Sequence, residues 1–150
     1  MDDNLEHVAF DEGHSIAQLP REDRFRSMRP ELGAAQVDID NDGVVERVFG
    51  VGFDSSAGRG CTAGRLAVVD ETGRNVPDSW LNRQLLRDLG FACDSVLEVA
   101  MHEGVAYVDA QNSAGDRTLY RIDSRRVTSV CEFHAVQDYD VPGDSPSPPR

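Results

Sequence analysis

Asp38, Asp40, Asp42 and Glu46 stand at positions one, three, five and nine of one short stretch, Asp38-Ile39-Asp40-Asn41-Asp42-Gly43-Val44-Val45-Glu46. Alternate acidic side chains in a tight turn can aim at one centre. The chemistry of such a centre is the capture of a hard cation, since calcium takes six to eight oxygen ligands at roughly 2.3–2.6 Å. Asp38, Asp40 and Asp42 supply three carboxylates, the Val44 carbonyl a fourth oxygen, and Glu46 a fifth, directly or through water. Gly43 follows the third Asp, where the chain must bend sharply and a Cβ would obstruct it. The competing interpretation is a hairpin turn in which the carboxylates only cap backbone amides. Asn41-Asp42-Gly43 alone would be such a turn; the full acidic register favours calcium.

The flanks place this loop. Ala34-Ala35-Gln36-Val37 leads in and Val44 to Phe53 leads out, both rich in strand formers, so the loop joins two strands. An EF-hand needs helices on both sides and a bidentate Glu at position twelve; here position twelve is Phe49. The pattern instead resembles the calcium loop of FG-GAP and VCBS-type repeats, the hairpins of integrin-like β-propellers. Asp38, Asp40, Asp42 and Gly43 carry the resemblance, with Val48-Phe49-Gly50 as its tail. Glu46 stands where Asp is usual and Arg47 where an apolar residue is usual. The resemblance covers residues 38–50 and implies a calcium-holding β-hairpin. It carries over no biological role.

Other chemistry is thin. There is no G-x-S-x-G elbow, P-loop or H-E-x-x-H. His102-Glu103 falls in an expected hairpin turn and lacks a second His. Cys61, Cys93, Cys131 and His134 have the donor types of a zinc site, yet only Cys131 and His134 are close in sequence. Gly58 to Gly64 has the glycines of a dinucleotide loop, but the next segment, Arg65 to Val69, is a strand pattern and not a helix. We therefore expect no catalytic site.

The elements that must position the acidic loop follow from periodicity. Leu5 and Val8 suit a short helix, and Pro20 begins a second one over Arg21 to Arg29, so residues 1–30 are expected to be helical. Trp80, Leu81, Leu85, Leu86 and Leu89 form one apolar stripe at helical spacing, a helix over 79–89 packed on the sheet. Val96–Met101, Val105–Asp109, Arg117–Ile122 and Val127–Phe133 form four strands joined by short turns, an antiparallel meander. The expected fold is α+β, an antiparallel sheet of about seven strands, sandwich or propeller-like. One domain spans 1–137, and the Pro/Ser-rich residues 138–150 are expected to be a flexible tail. An internal echo links Val37-Asp38, Asn41 and Gly43 to Val108-Asp109, Asn112 and Gly115. If it is a duplication, the second hairpin has lost its carboxylates.

Charge bounds the partners. The 150 residues carry a net charge of −12, and all fifteen basic residues are Arg. This disfavours nucleic acid and anionic membranes and suits a basic protein partner. No apolar run is long enough to insert in a membrane. Met1-Asp2-Asp3-Asn4 has no signal-peptide character, but a calcium loop suits a calcium-rich compartment. We expect a periplasmic or secreted location after loss of a signal, the alternative being the cytoplasm. One disulfide among Cys61, Cys93 and Cys131 would then be expected. The functional expectation is a non-enzymatic, extracytoplasmic bacterial binding protein with structural calcium. Its partner would be a basic toxin or enzyme, which it would serve as immunity protein or inhibitor. The alternative is an accessory or catalytic domain of a calcium-dependent extracellular hydrolase. The sequence leaves the oligomeric state open.

Overall fold

Strand-forming stretches dominate, and the computed structural model gathers them into one sheet. It describes residues 5–19, 21–24, 28–54, 62–69, 79–89, 95–123 and 125–134. The strands are β1 (Glu6–His7), β2 (Asp11–Ser15), β3 (Glu31–Val37), β4 (Glu46–Asp54), β5 (Thr62–Val69), β6 (Val96–His102), β7 (Val105–Gln111), β8 (Arg117–Asp123) and β9 (Arg126–Phe133). Their spatial order is β2-β3-β4-β5-β6-β7-β8-β9, with β1 on β6. Every pairing is antiparallel except β5 with β6, which meet in parallel at Gly64 and Val96. Two four-stranded meanders, β2–β5 and β6–β9, thus join at one narrow seam. This is the expected α+β class, with nine strands in place of about seven.

Alternation within β4 and β5 explains the core. Val48, Leu66 and Val68 face one buried cluster with Val99, Val108 and Ile122; Phe49, Val51, Ala67 and Val69 face a second cluster with Leu19, Met28 and Leu32. The helix expected from the leucine stripe is present as α1 (Ser79–Arg83), which runs on as a π-helical turn over Gln84–Asp88 that the spacing does not predict. Leu81, Leu85 and Leu89 enter the first cluster and Leu86 the second, while Trp80 packs at the edge. The buried Asn82 fixes the helix to β5. Its Oδ1 accepts the Val68 N–H at 2.8 Å and its Nδ2 donates to the Val68 carbonyl at 3.1 Å.

The N-terminal expectation is overturned. Residues 5–15 are extended, and the only helical structure among the described residues of 16–29 is the 3₁₀ turns Ile16–Gln18 and Arg21–Asp23; residues 25–27 lie outside the described residues. Glu6 and His7 pair with Met101 and Ala100 of β6, and Val8 N–H donates to the Val99 carbonyl. Asp11 to Ser15 then pairs with β3. One segment therefore ties both meanders, and Val8 and Phe10 follow the period of a strand. Phe10 crosses where Gly33 and Gly50 are paired; a Cβ on Gly33 would lie 3.0 Å from the Phe10 Cβ. At the end of the second expected helix, Met28 bridges to Phe53 and Arg29 N–H donates to Gly52 O, so these two residues lie along β4 instead. Both outer strands are irregular: the register shifts between Asp11 and His14 where β2 meets β3, and between Leu119 and Tyr120 where β8 meets β9. Such bulges discourage edge-to-edge association. Among the described residues no helix is long and apolar enough to cross a membrane. Residues 58–61 of the glycine-rich loop, Cys61 and Cys93, and the tail over 138–150 lie outside the described residues.

Candidate metal centre

The acidic loop does join two strands, leaving β3 at Val37 and entering β4 at Glu46. Val37 and Ile39 are both buried in the first cluster, so the side chains between and after them are set by alternation. The turn is made by Asn41 at φ 55° and Gly43 at φ 92°. Four local hydrogen bonds then hold it. Asp38 Oδ1 accepts the Asp42 N–H at 3.0 Å and Oδ2 the Gly43 N–H at 2.8 Å. Asp42 Oδ1 accepts the Val44 N–H at 2.9 Å, and Glu46 Oε1 accepts the Ile39 N–H at 2.9 Å. Capping and ligation are thus not alternatives here. The same carboxylates that cap the turn are aimed at one point.

Asp38, Asp40, Asp42 and Glu46 each bring an oxygen into a group whose members lie within 4.8 Å of one another. Twice a calcium–oxygen distance is about 4.8 Å, so all four fit one coordination sphere. An all-oxygen set selects a hard cation over a thiophilic one. These residues form a set able to chelate a divalent cation. Val44 extends its side chain into solvent, 63 % exposed, and gives its N–H to Asp42, which leaves its carbonyl as the group it can offer. The adjoining Val45, expected in a strand, is instead an exposed loop residue.

Asp40 differs from its neighbours. Its Oδ1 is shielded from solvent and has no hydrogen-bond partner among the described residues. Burial first, and then the adjacent Asp42 and Asp38, push its carboxyl up to about 7. Glu46 is pushed up to about 8 by burial and then by the charge of Asp40, against the lowering effect of the Ile39 N–H. Asp42 is held below the usual carboxylate range, chiefly by the Val44 N–H. Without a cation the group therefore retains protons near neutrality, and a divalent ion would displace them.

The sequence around Asn41 marks it only as a turn residue. Its side chain reaches across to the second meander, where Nδ2 donates to the Ala106 carbonyl at 3.1 Å and the Ile122 carbonyl at 3.0 Å, and Oδ1 accepts the Ala106 N–H at 3.0 Å. No local signal reveals this, because the partners lie 65 and 81 residues along the chain. Arg47, the departure from the propeller-loop tail, turns its guanidinium over the Phe49 ring at 5.2 Å and towards His14 Nδ1 at 3.2 Å. Its neighbour Glu46 projects to the opposite face, so Arg47 does not compete for the ligands.

The echo sits at the equivalent hairpin of the second meander, but in a different register from the letters. Asn112 Oδ1 accepts the Asp116 N–H at 3.1 Å, as Asp38 Oδ1 accepts that of Asp42. Gly115 N–H donates to the Asn112 carbonyl at positive φ, as Asn41 N–H does to that of Asp38. Asn112 therefore occupies the place of Asp38, Ala114 that of Asp40 and Gly115 that of Asn41. Asp109 lies inside β7 instead.

There Asp109 forms a second polar cluster that local patterns also miss. Fully buried, it accepts His7 Nε2 at 2.7 Å, Arg117 Nη2 at 2.7 Å and Arg117 Nε at 3.2 Å, with Glu98 close by. His7, Glu98 and Asp109 have metal-ligating atoms within reach of one another. Arg117 already neutralises Asp109, and Gln111 Nε2 holds Glu98 at 2.8 Å, so this cluster fits an ion-pair latch for β1 better than a metal centre. Of the other candidates, His102 and Glu103 are 3.7 Å apart at the β6–β7 turn. Cys131 is half-buried on β9 and His134 lies near Asp116, and neither joins a metal-capable group among the described residues.

No protein-family model matches this chain, and neither the curated proteins nor the solved structures contain a significant match.

Proposed function

We propose that Asp38, Asp40, Asp42, Glu46 and the Val44 carbonyl hold a structural calcium ion, and that the braced protein acts by binding a partner. The observation that carries the metal is Asp40, whose solvent-free Oδ1 lacks a donor while three other carboxylates converge on it. Calcium is favoured over magnesium because a loop built from carboxylates and a carbonyl suits an ion that sheds most of its water. Binding is favoured over chemistry because Arg47, the basic residue next to the loop, turns to Phe49 and His14 and away from the carboxylates. The net charge of −12 supports a basic protein as the partner, in the manner of an immunity protein or an enzyme inhibitor. A calcium-rich, extracytoplasmic setting would keep the loop loaded.

Thermal unfolding with calcium and with chelator tests the metal, and calorimetric titration with calcium, magnesium and zinc tests its identity. Calcium alone giving micromolar heat and a higher midpoint supports the proposal; an unchanged midpoint on chelation ends it. The binding role is tested with the calcium-loaded protein as bait. Capture of one basic protein, lost in high salt, supports it. A hydrolytic activity lost in Glu46→Gln would replace it with an enzyme.

A further inference from the structure

The ladder between β7 and β8 runs from Gln111 opposite Arg117 to Tyr107 opposite Arg121 and stops there. The next residues in register, Ala106 and Ile122, are both fully buried. Asn41 closes that end of the ladder. Its carboxamide takes the Ala106 N–H and gives its two protons to the carbonyls of Ala106 and Ile122, so it stands in for a strand's peptide group. In sequence Asn41 lies between Asp40 and Asp42, two of the cation ligands. Fixing those two carboxylates fixes the peptide units on both sides of Asn41, and with them the direction of its side chain.

We propose that cation occupancy at Asp38–Glu46 is transmitted through Asn41 to the second meander, and so controls how firmly the open end of β7–β8 is closed. This rests on the cation reading of the loop, to which the unpartnered Asp40 Oδ1 points independently of Asn41. The ion then does more than order its own turn. It holds a clasp between two sheet halves whose direct seam, β5 with β6, is a single parallel pairing. Losing the ion frees Asn41, exposes the Ala106 N–H to water, and loosens one half of the sheet against the other.

Amide hydrogen exchange on the full chain, followed by NMR in calcium and in chelator, tests this alongside calorimetry. Calcium should slow exchange at Ala106 about tenfold, the weight of one net hydrogen bond. In Asn41→Gly, which keeps the positive φ accessible, Ala106 should exchange rapidly under both conditions. By linkage its calcium dissociation constant should rise by the same factor that calcium protects Ala106 in the unaltered protein. If the variant does not fold, the calcium-against-chelator comparison on the unaltered protein decides alone. Calcium that binds and protects amides 38–46 while leaving Ala106 unchanged overturns the clasp and spares the metal site. Unchanged Ala106 exchange in a folded Asn41→Gly likewise overturns it. An absence of binding heat together with unaltered loop amides overturns both.

Discussion

Asp40→Asn should change sign with conditions. In the native loop Asp40 faces Asp38, Asp42 and Glu46 with one oxygen shielded and undonated. An Asn is isosteric and brings an NH₂ that can donate to the neighbouring carboxylates. In chelator at pH 8 the variant therefore removes a repulsion and adds a charge-assisted hydrogen bond, a gain of about 1–2 kcal/mol. At about 2–4 °C per kcal/mol for a chain of this size, the midpoint rises by a few degrees. In calcium the order reverses. A hundredfold excess of ion over its dissociation constant stabilises the unaltered protein by about 2.7 kcal/mol, a rise of roughly 5–11 °C. The variant, with a central ligand weakened, should gain little of this. The assay is a pair of melting curves for each protein, with one millimolar calcium as the working concentration, about a hundredfold above a dissociation constant in the sensor range. If Asp40→Asn melts below the unaltered protein in chelator, the carboxylates are not in conflict. If calcium raises both proteins equally, Asp40 is not a ligand.

The same carboxylates set the pH dependence. Asp40 and Glu46 are raised to about 7 and about 8, so the folded chelated protein holds protons that the unfolded chain releases near pH 4. Its stability should be greatest below that and fall as pH rises through 7 to 8, and calcium should bind more tightly at pH 8 than at pH 6 with net proton release, measured by calorimetry in buffers of different ionisation enthalpy. Asn41→Ala loses three hydrogen bonds, and urea unfolding should show a loss of about 3 kcal/mol; Ala also disfavours φ 55°, so it should be about 1 kcal/mol worse than Asn41→Gly. Asp109→Ala leaves His7 and Arg117 without their shared carboxylate, and should cost about 3 kcal/mol with faster exchange at the Val8 amide. Gly33→Ala meets the Phe10 Cβ and the Asp11 carbonyl, and overpacking there should cost about 1–3 kcal/mol in the same urea assay.

Legibility in this sequence followed the distance over which each interaction acts. The convergent carboxylates Asp38, Asp40, Asp42 and Glu46 are legible because their geometry is made within nine residues. The helix at 79–89 and the strands from Val96 to Phe133 were visible because each buries one face and shows that face as a period. A pattern of only two apolar residues is too short to fix an element. Leu5 and Val8 suggested a helix, but the pairing of Glu6 and His7 with β6 outweighed so short a pattern. The end of the expected helix at Arg21–Arg29 gave way for a similar reason, since the stretch of β4 beyond its pairing with β3 claims Met28 and Arg29.

By itself, then, the sequence determined the acidic turn, its donor types and the alternation that buries Ile39 beside it. Those are local consequences of side-chain spacing on an extended chain. Only the tertiary structure decided what the turn is attached to. Asn41 meets Ala106 and Ile122, and His7 meets Asp109 across 102 residues, because buried backbone and carboxylate groups must find partners wherever the packed sheet presents them. The loop was recognisable as a candidate cation site from nine letters, but its link through Asn41 to the second meander belongs to the fold.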